Sequence, residues 1–290
     1  MPAAASFRLI SAMVALWLCW GSSFPAMRVM VSASPPLLAS GTVFAVAGIV
    51  LATARLKALR GLSRRQVATA AGVGTCLLGS QGAVAIAVQH VFAGTAALLV
   101  AVVPLWVAVL RAAIGERMTR AAAARLLLGF AGVAVVVFAA SGDGPGWSAW
   151  NLVVVAAAGG WAGGTLWASR TSALPAPAAA TTIQLLAGGL VLIVTGCLAG
   201  ETADFAPSAG SWLAFGHLVL IDSLAGFALY NWLLRAATVA LISTYAYAVP
   251  VVAYLIGVLV LGEPFHPAVL GGAAAIVIAV AYEIRAAESS

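Results

Sequence analysis

Apolar runs about twenty residues long, each closed by short polar punctuation, recur from one end of the chain to the other. A helix that crosses a bilayer needs roughly 20 such residues. Helices can cross because they satisfy their own backbone N–H and C=O groups where no water is present. The runs fall at approximately 7–31, 36–54, 66–88, 93–113, 121–140, 150–170, 178–199, 210–234, 239–261 and 267–284. Between them stand "SPP" at 34–36, "SGDGPG" at 141–146, "LPAP" at 174–177 and "EPFHP" at 263–267, the Pro and Gly clusters that end regular structure. Charged residues are 8% of the chain and hydrophobic ones 63%. A soluble domain carries about 25% charge, so a soluble core cannot account for this sequence. The chain reads as an all-α integral membrane protein of ten transmembrane helices. Arg8 ahead of an apolar run mimics a signal peptide. That run continues through Trp20 and Phe24 to about Val31, so it reads as a retained first helix.

The formal net charge of +6 does not point to nucleic acid. The basic residues sit in short loops between spans and form no stripe with interleaved aromatics. Their distribution instead fixes a topology through the positive-inside rule. With a cytoplasmic N-terminus and ten spans, the cytoplasmic side holds Arg8, Arg55, Lys57, Arg60, Arg64, Arg65, Arg111, Arg117, Arg120, Arg125, Arg170, Arg235 and Arg285. That is 13 of the 14 basic residues, and only Arg28 falls toward the other side. Both termini are expected in the cytoplasm. The 55–65 loop suits contact with anionic lipid headgroups. Cys19, Cys76 and Cys197 lie inside apolar stretches, an odd number without paired spacing. They read as small apolar filler, not as disulfides or metal ligands.

The chain also repeats itself. Trp20 and Pro36 are 16 residues apart, as are Trp161 and Pro177, and Gly48 and Gly189 keep the same offset of 141. Pro104 matches Pro250 at 146, and Gly115-Glu116 matches Gly262-Glu263 at 147. The expected units are 1–140, with five helices, an inter-repeat turn at 141–149, and 150–290, with five more. Five is odd, so the second unit enters the membrane from the opposite side. Inverted repeats are a construction of secondary transporters, in which exchanging the conformations of the halves moves access from one face to the other.

"WGSSF" at 20–24, "LGE" at 261–263 and "STYAYAVPVVA" at 243–253 resemble the drug/metabolite transporter superfamily, in particular its EamA-type members. "AGTAALLVAVVPLWVA" at 93–108 resembles the first-half partner of the last motif. The resemblance covers essentially the whole chain and rests on the order of short motifs. It implies two inverted five-helix repeats around a central cavity, with helices 5 and 10 peripheral. It also implies a bacterial inner-membrane exporter of small organic metabolites, most like aromatic amino-acid exporters. Two departures stand out. Val249 occupies a place before the helix-9 proline where the family often has Asn, and no Arg lies near Gly41 early in helix 2. The roles of those family residues are not carried over.

Asp222 is the only acid near the middle of a span, where burying a charge costs at least about 2.5 kcal/mol. Asp222, Gly226 and Tyr230 follow at i, i+4 and i+8, one face of an α-helix. Either Asp222 binds a substrate ammonium or a coupling proton, or it is a buried structural carboxyl. His217, five residues earlier, is expected off that face and out of any relay. Trp17, Trp20 and Phe24 form an aromatic stripe on helix 1, and Trp161 and Trp167 lie on its repeat partner. Trp20 and Trp161 are the expected cavity walls, able to hold an apolar group or a cation; Trp17 and Trp167 read as packing. Gln81, Thr181 and Gln184 offer interhelical hydrogen bonds or substrate contacts. His90 and His266 fall in loops, and no metal or other cofactor is implied. The paired glycines at 159–164, 188–189 and 271–272 permit close helix approach. The last pair, on a peripheral helix, suits a dimer contact, so the expected state is a monomer or a weak homodimer.

Pro104 and Pro250 cannot donate to Val100 and Ala246, so helices 4 and 9 should loosen there. The two prolines are hinge candidates, with Ser243 and Thr244 near enough to help satisfy freed backbone. Tyr245 and Tyr247 are about 200° apart on a helix, and Tyr245 is expected to face the cavity. The loops hold no nucleophile with a base, so an enzyme is not expected. A channel would need a ring of like polar groups. An uncoupled facilitator shares every feature except energy coupling.

Overall fold

The computed structural model describes residues 3–116, 119–139, 149–201, 208–236 and 245–288. Ten apolar helical spans occur among them. They are α1 (Ala3–Gly21 with Ser23–Val31), α2 (Pro36–Ala54), α3 (Arg64–Ala87), α4 (Ala93–Val100 with Val103–Ala113) and α5 (Arg120–Ala139). The second half supplies α6 (Ala149–Arg170), α7 (Pro177–Leu198), α8 (Ala209–His217, Leu218–Gly226, Phe227–Ala236), α9 (Tyr245–Leu261) and α10 (Pro267–Glu288). Seven are long and apolar enough to cross a membrane as they stand. Shorter apolar stretches, Ala123–Val136, Ala248–Leu261 and Pro267–Ala279, complete the set. Apart from the start of α9, which lies outside the described residues, boundaries agree with the hydropathy pattern to within a few residues.

Local chemistry explains the ends. Pro36 and Pro177 occupy first-turn positions of α2 and α7, where the missing N–H leaves no bond unmade. Ser63 and Gln66 form a reciprocal capping box at the head of α3. Gly115, Gly200 and Gly262 end α4, α7 and α9 with φ of 93°, 79° and 67°, a left-handed turn that glycine adopts without a Cβ clash. A glutamate follows each of them.

The helices pack as an inverted repeat requires. Repeat mates pair with each other, α2 along α7 and α5 along α10, while α1–α9 mirrors α4–α6 and α3–α6 mirrors α1–α8. Two close backbone approaches lie on these self-paired contacts. A Cβ on Gly41 would come within 2.8 Å of the Gly189 carbonyl, and one on Gly132 within 2.7 Å of the Gly272 carbonyl. Gly272 is thereby enclosed by Val136 and Gly132 of α5. Gly271 beside it meets nothing within 4 Å.

The bundle has two chemically distinct ends. The basic end carries the 55–63 connection and Arg111, Glu116, Arg120 and Arg170; the acid end carries Arg28, Glu201 and Glu263.

Three local departures from uniform helix matter for function. α1 is interrupted at Ser22, inside the "WGSSF" stretch. α4 breaks at Ala101–Val102 and restarts with Pro104 in its first turn, where the missing Pro104 N–H leaves no bond unmade. α8 is wound as a π-helix over Leu218–Gly226. Pro250, by contrast, lies inside a helix that continues through it. Ser243 and Thr244, like the 141–148 connection, lie outside the described residues.

Candidate functional site

The π-helical stretch of α8 faces α1 and α2. A π-helix closes i→i+5 bonds and tends to occur at functional sites. Its wider turn brings residues five apart onto nearly the same face, so His217 and Asp222 both meet α1. The Ser22 hydroxyl donates to the Leu18 carbonyl at 2.7 Å and lies 2.9 Å from His217 Nε2. With its proton committed to Leu18, the hydroxyl oxygen accepts from the imidazole N–H. The next residue, Ser23, donates to the Trp20 carbonyl at 2.7 Å and lies beside the Asp222 carboxyl. Consecutive serines of α1 thus stand beside these two titratable side chains of α8. The expectation that His217 lies off the Asp222 face is corrected, because it assumed α-helical winding.

One turn further along α8, aromatic rings close around Trp20. Tyr245 meets it edge-on with centroids 5.0 Å apart, Tyr230 lies at 5.3 Å and Phe227 at 6.1 Å; Tyr230 and Tyr245 are 6.1 Å from each other. Edge-to-face pairs of this kind are favourable beyond the area they bury. Gly226 makes the approach possible, since a Cβ there would lie 2.5 Å from Trp20 Nε1. Beyond this box, Met13, Leu16 and Leu233 form a small buried cluster with Trp17 packed against it. Trp167, 44% exposed, lies over Gly72.

The structure therefore brings together Asp222, Trp20, Tyr230 and Tyr245, and adds Ser22, Ser23, His217 and Phe227. The "WGSSF" motif had marked the serines only as a family signature. Trp161, Gln81 and Gln184 are half-buried on α6, α3 and α7; among the described residues no ring contact or hydrogen bond joins them to this cluster. On their side of the bundle Trp106 of α4 donates its indole N–H to the Val155 carbonyl at 2.9 Å and lies over Gly159. Nearer the acid end, an apolar crevice of about 270 Å³ opens between α1, α2 and α8, lined by Met30, Ala39, Thr42, Trp212 and Phe215 among others.

Comparison with known proteins agrees with this architecture. The model of the EamA-like transporter family matches residues 8–138 and again 148–283. The chain is 34% identical over 260 residues to the uncharacterized inner membrane transporter YedA of Escherichia coli K12, covering 88% of this chain and 83% of that protein. It is 26% identical over 274 residues to the uncharacterized transporter YvbV of Bacillus subtilis, covering 91% and 88%. A solved crystal structure shares the fold with a TM-score of 0.62 at 21% identity, over 96% of both chains. Two family domains, ten apolar spans and mate-to-mate packing lead to one conclusion: this multi-pass membrane protein belongs to the EamA-like transporter family, within the drug/metabolite transporter superfamily.

Proposed function

We propose that the protein exports small amine-bearing metabolites, foremost amino acids with apolar or aromatic side chains, across the bacterial inner membrane by alternating access. The observation that carries this reading is the Asp222 carboxyl one turn of α8 before Gly226, where Trp20 sits among the rings of Phe227, Tyr230 and Tyr245. A carboxylate held in the bundle pairs with an ammonium, and ring faces accept either a cation or an apolar side chain. Gln81, Trp161 and Gln184 line the opposite wall and contact the remainder of the substrate. Asp222 also exchanges the coupling proton, with substrate and proton competing for one carboxyl. Both termini lie in the cytoplasm, which makes the acid end periplasmic.

Uptake of radiolabelled amino acids into proteoliposomes tests this reading, with and without an imposed pH gradient. Accumulation driven by the gradient is expected of the exporter, whereas gradient-independent equilibration identifies an uncoupled facilitator. Asp222→Asn should lower transport at least about tenfold, from the loss of a charge-assisted contact. Wild-type rates and an unchanged pH dependence in that variant would remove Asp222 from the mechanism.

A further inference from the structure

The Gly-Glu turns that end α4, α7 and α9 fasten one repeat to the other, and they do so unequally at the two ends of the bundle. At the acid end, Glu263 of the second repeat reaches the head of α4 in the first. Its Oε1 accepts from the Ala93 N–H at 2.7 Å and its Oε2 from the Gly94 N–H at 3.1 Å. Arg28 of α1 stands beside it, with Nε 3.6 Å from Oε1, and also donates to the carbonyls of Val88 and Val91. The Glu263 side chain is only 5% exposed. Glu201 repeats the arrangement at the head of α2, accepting from the N–H groups of Leu37 and Leu38 at 3.0 and 2.9 Å. Both carboxylates come from the second repeat, and all four amides belong to the first.

The basic end holds the inverted counterpart. Glu116 of the first repeat pairs with Arg170 of the second, and with Arg111 at 2.5 Å. Arg170 stands one residue from the place matched to Arg28, at 170 − 28 = 142 against the 141 of the flanking landmarks, and Glu116 and Glu263 match at 263 − 116 = 147. Among the described residues the two ends differ in exposure. The Glu116 side chain is 36% exposed and Arg170 47%. Gly61, the counterpart of Gly200 after α2, also has a left-handed φ of 72°, but Leu62 follows it where Glu201 follows Gly200. A second carboxylate clasp is therefore lacking at that turn.

We propose that Glu263 with Arg28 and Glu201 is the gate at the acid end, that Glu116 with Arg170 is the gate at the basic end, and that the two part in alternation. The acid-end gate is the firmer one. Its carboxylates accept charge-assisted bonds from helix N-termini, where the backbone dipole favours negative charge. Breaking such a contact strands a buried charge, whereas an exposed ion pair parts with little loss. The substrate-free protein therefore opens preferentially toward its basic end. The proposal shares alternating access with the function proposed above but none of its substrate assignment, so distances measured without substrate decide it.

The experiment uses the full chain in liposomes with Cys19, Cys76 and Cys197 replaced by Ser. Spin labels are placed on Ser32 and Phe265, exposed at the acid end, or on Arg120 and Ser172, exposed at the basic end; each pair spans the two repeats. Double electron–electron resonance should show a narrow acid-end distribution and a broader one at the basic end. Glu263→Gln should add a longer-distance component at the acid end and narrow the basic-end distribution. Glu116→Gln should lengthen the basic-end distances alone. Arg28→Gln should reproduce the acid-end shift and serves if Glu263→Gln does not fold. Unchanged acid-end distances in the Glu263 and Arg28 variants, an unchanged basic-end distribution in Glu116→Gln, lengthening at both ends together, or a wild-type acid end as broad as the basic end would each overturn the proposal.

Discussion

Gly226 is where the candidate site is most sensitive to a single methyl group. Gly226→Ala would set a Cβ 2.5 Å from Trp20 Nε1, and Trp20 is already held by three other rings. The indole must move and the box must open. Substrate affinity should fall about tenfold, roughly 1.4 kcal/mol, while the purified protein keeps its monodispersity; a binding isotherm on the detergent-solubilised variant checks this. Trp20→Ala should weaken binding more than Trp161→Ala does, measured the same way, since only the Trp20 ring sits among others. At this scale the sequence was legible in part. Asp222, Trp20, Tyr230 and Tyr245 could be picked out because charge and aromaticity are conspicuous in an apolar span. Trp161 is paired with Trp20 because the two hold equivalent repeat positions well inside their spans. An inverted-repeat protein in any one conformation holds its halves differently, so matched residues have unmatched surroundings.

Helical winding decided what the sequence could reveal about the elements. Spans, their punctuation and the two prolines follow from hydropathy and from proline's missing N–H. The π-helix over Leu218–Gly226 does not. No residue there forbids α-winding, and i→i+5 bonds persist only where packing supports them. That is why the Ser22–His217 contact escaped a reading based on 3.6 residues per turn. The prolines differ as well. Pro104 begins the second half of a broken α4, while Pro250 sits within α9. Pro104→Ala restores a donor at the α4 break and should rejoin the halves, lowering turnover several-fold with little change in KM. Pro250→Ala should act in the same direction. Steady-state transport kinetics in proteoliposomes separate kcat from KM, and wild-type turnover in both variants would end the hinge assignment.

For the whole molecule, the apolar periodicity and the odd number of spans per repeat make the architecture readable from the sequence. The odd count carries a prediction about orientation. Compartment-specific reporters fused at the N-terminus, at the C-terminus and in the 55–63 loop should all report the same side of the membrane. A reporter in the 262–266 turn should report the other side. The order of the two halves along the chain has a further consequence, for how the protein is made. The amide groups at the heads of α2 and α4 find their acceptors on Glu201 and Glu263, 164 and 170 residues downstream of Leu37 and Ala93. When the first five helices have left the ribosome, those amides have no protein partner and must rest in the hydrated headgroup layer. The first half therefore waits, inserted but unfastened, until translation delivers the carboxylates of the second. A gene cut at the 141–148 connection should yield a first fragment that is degraded when made alone and rescued when both fragments are synthesised in the same cell.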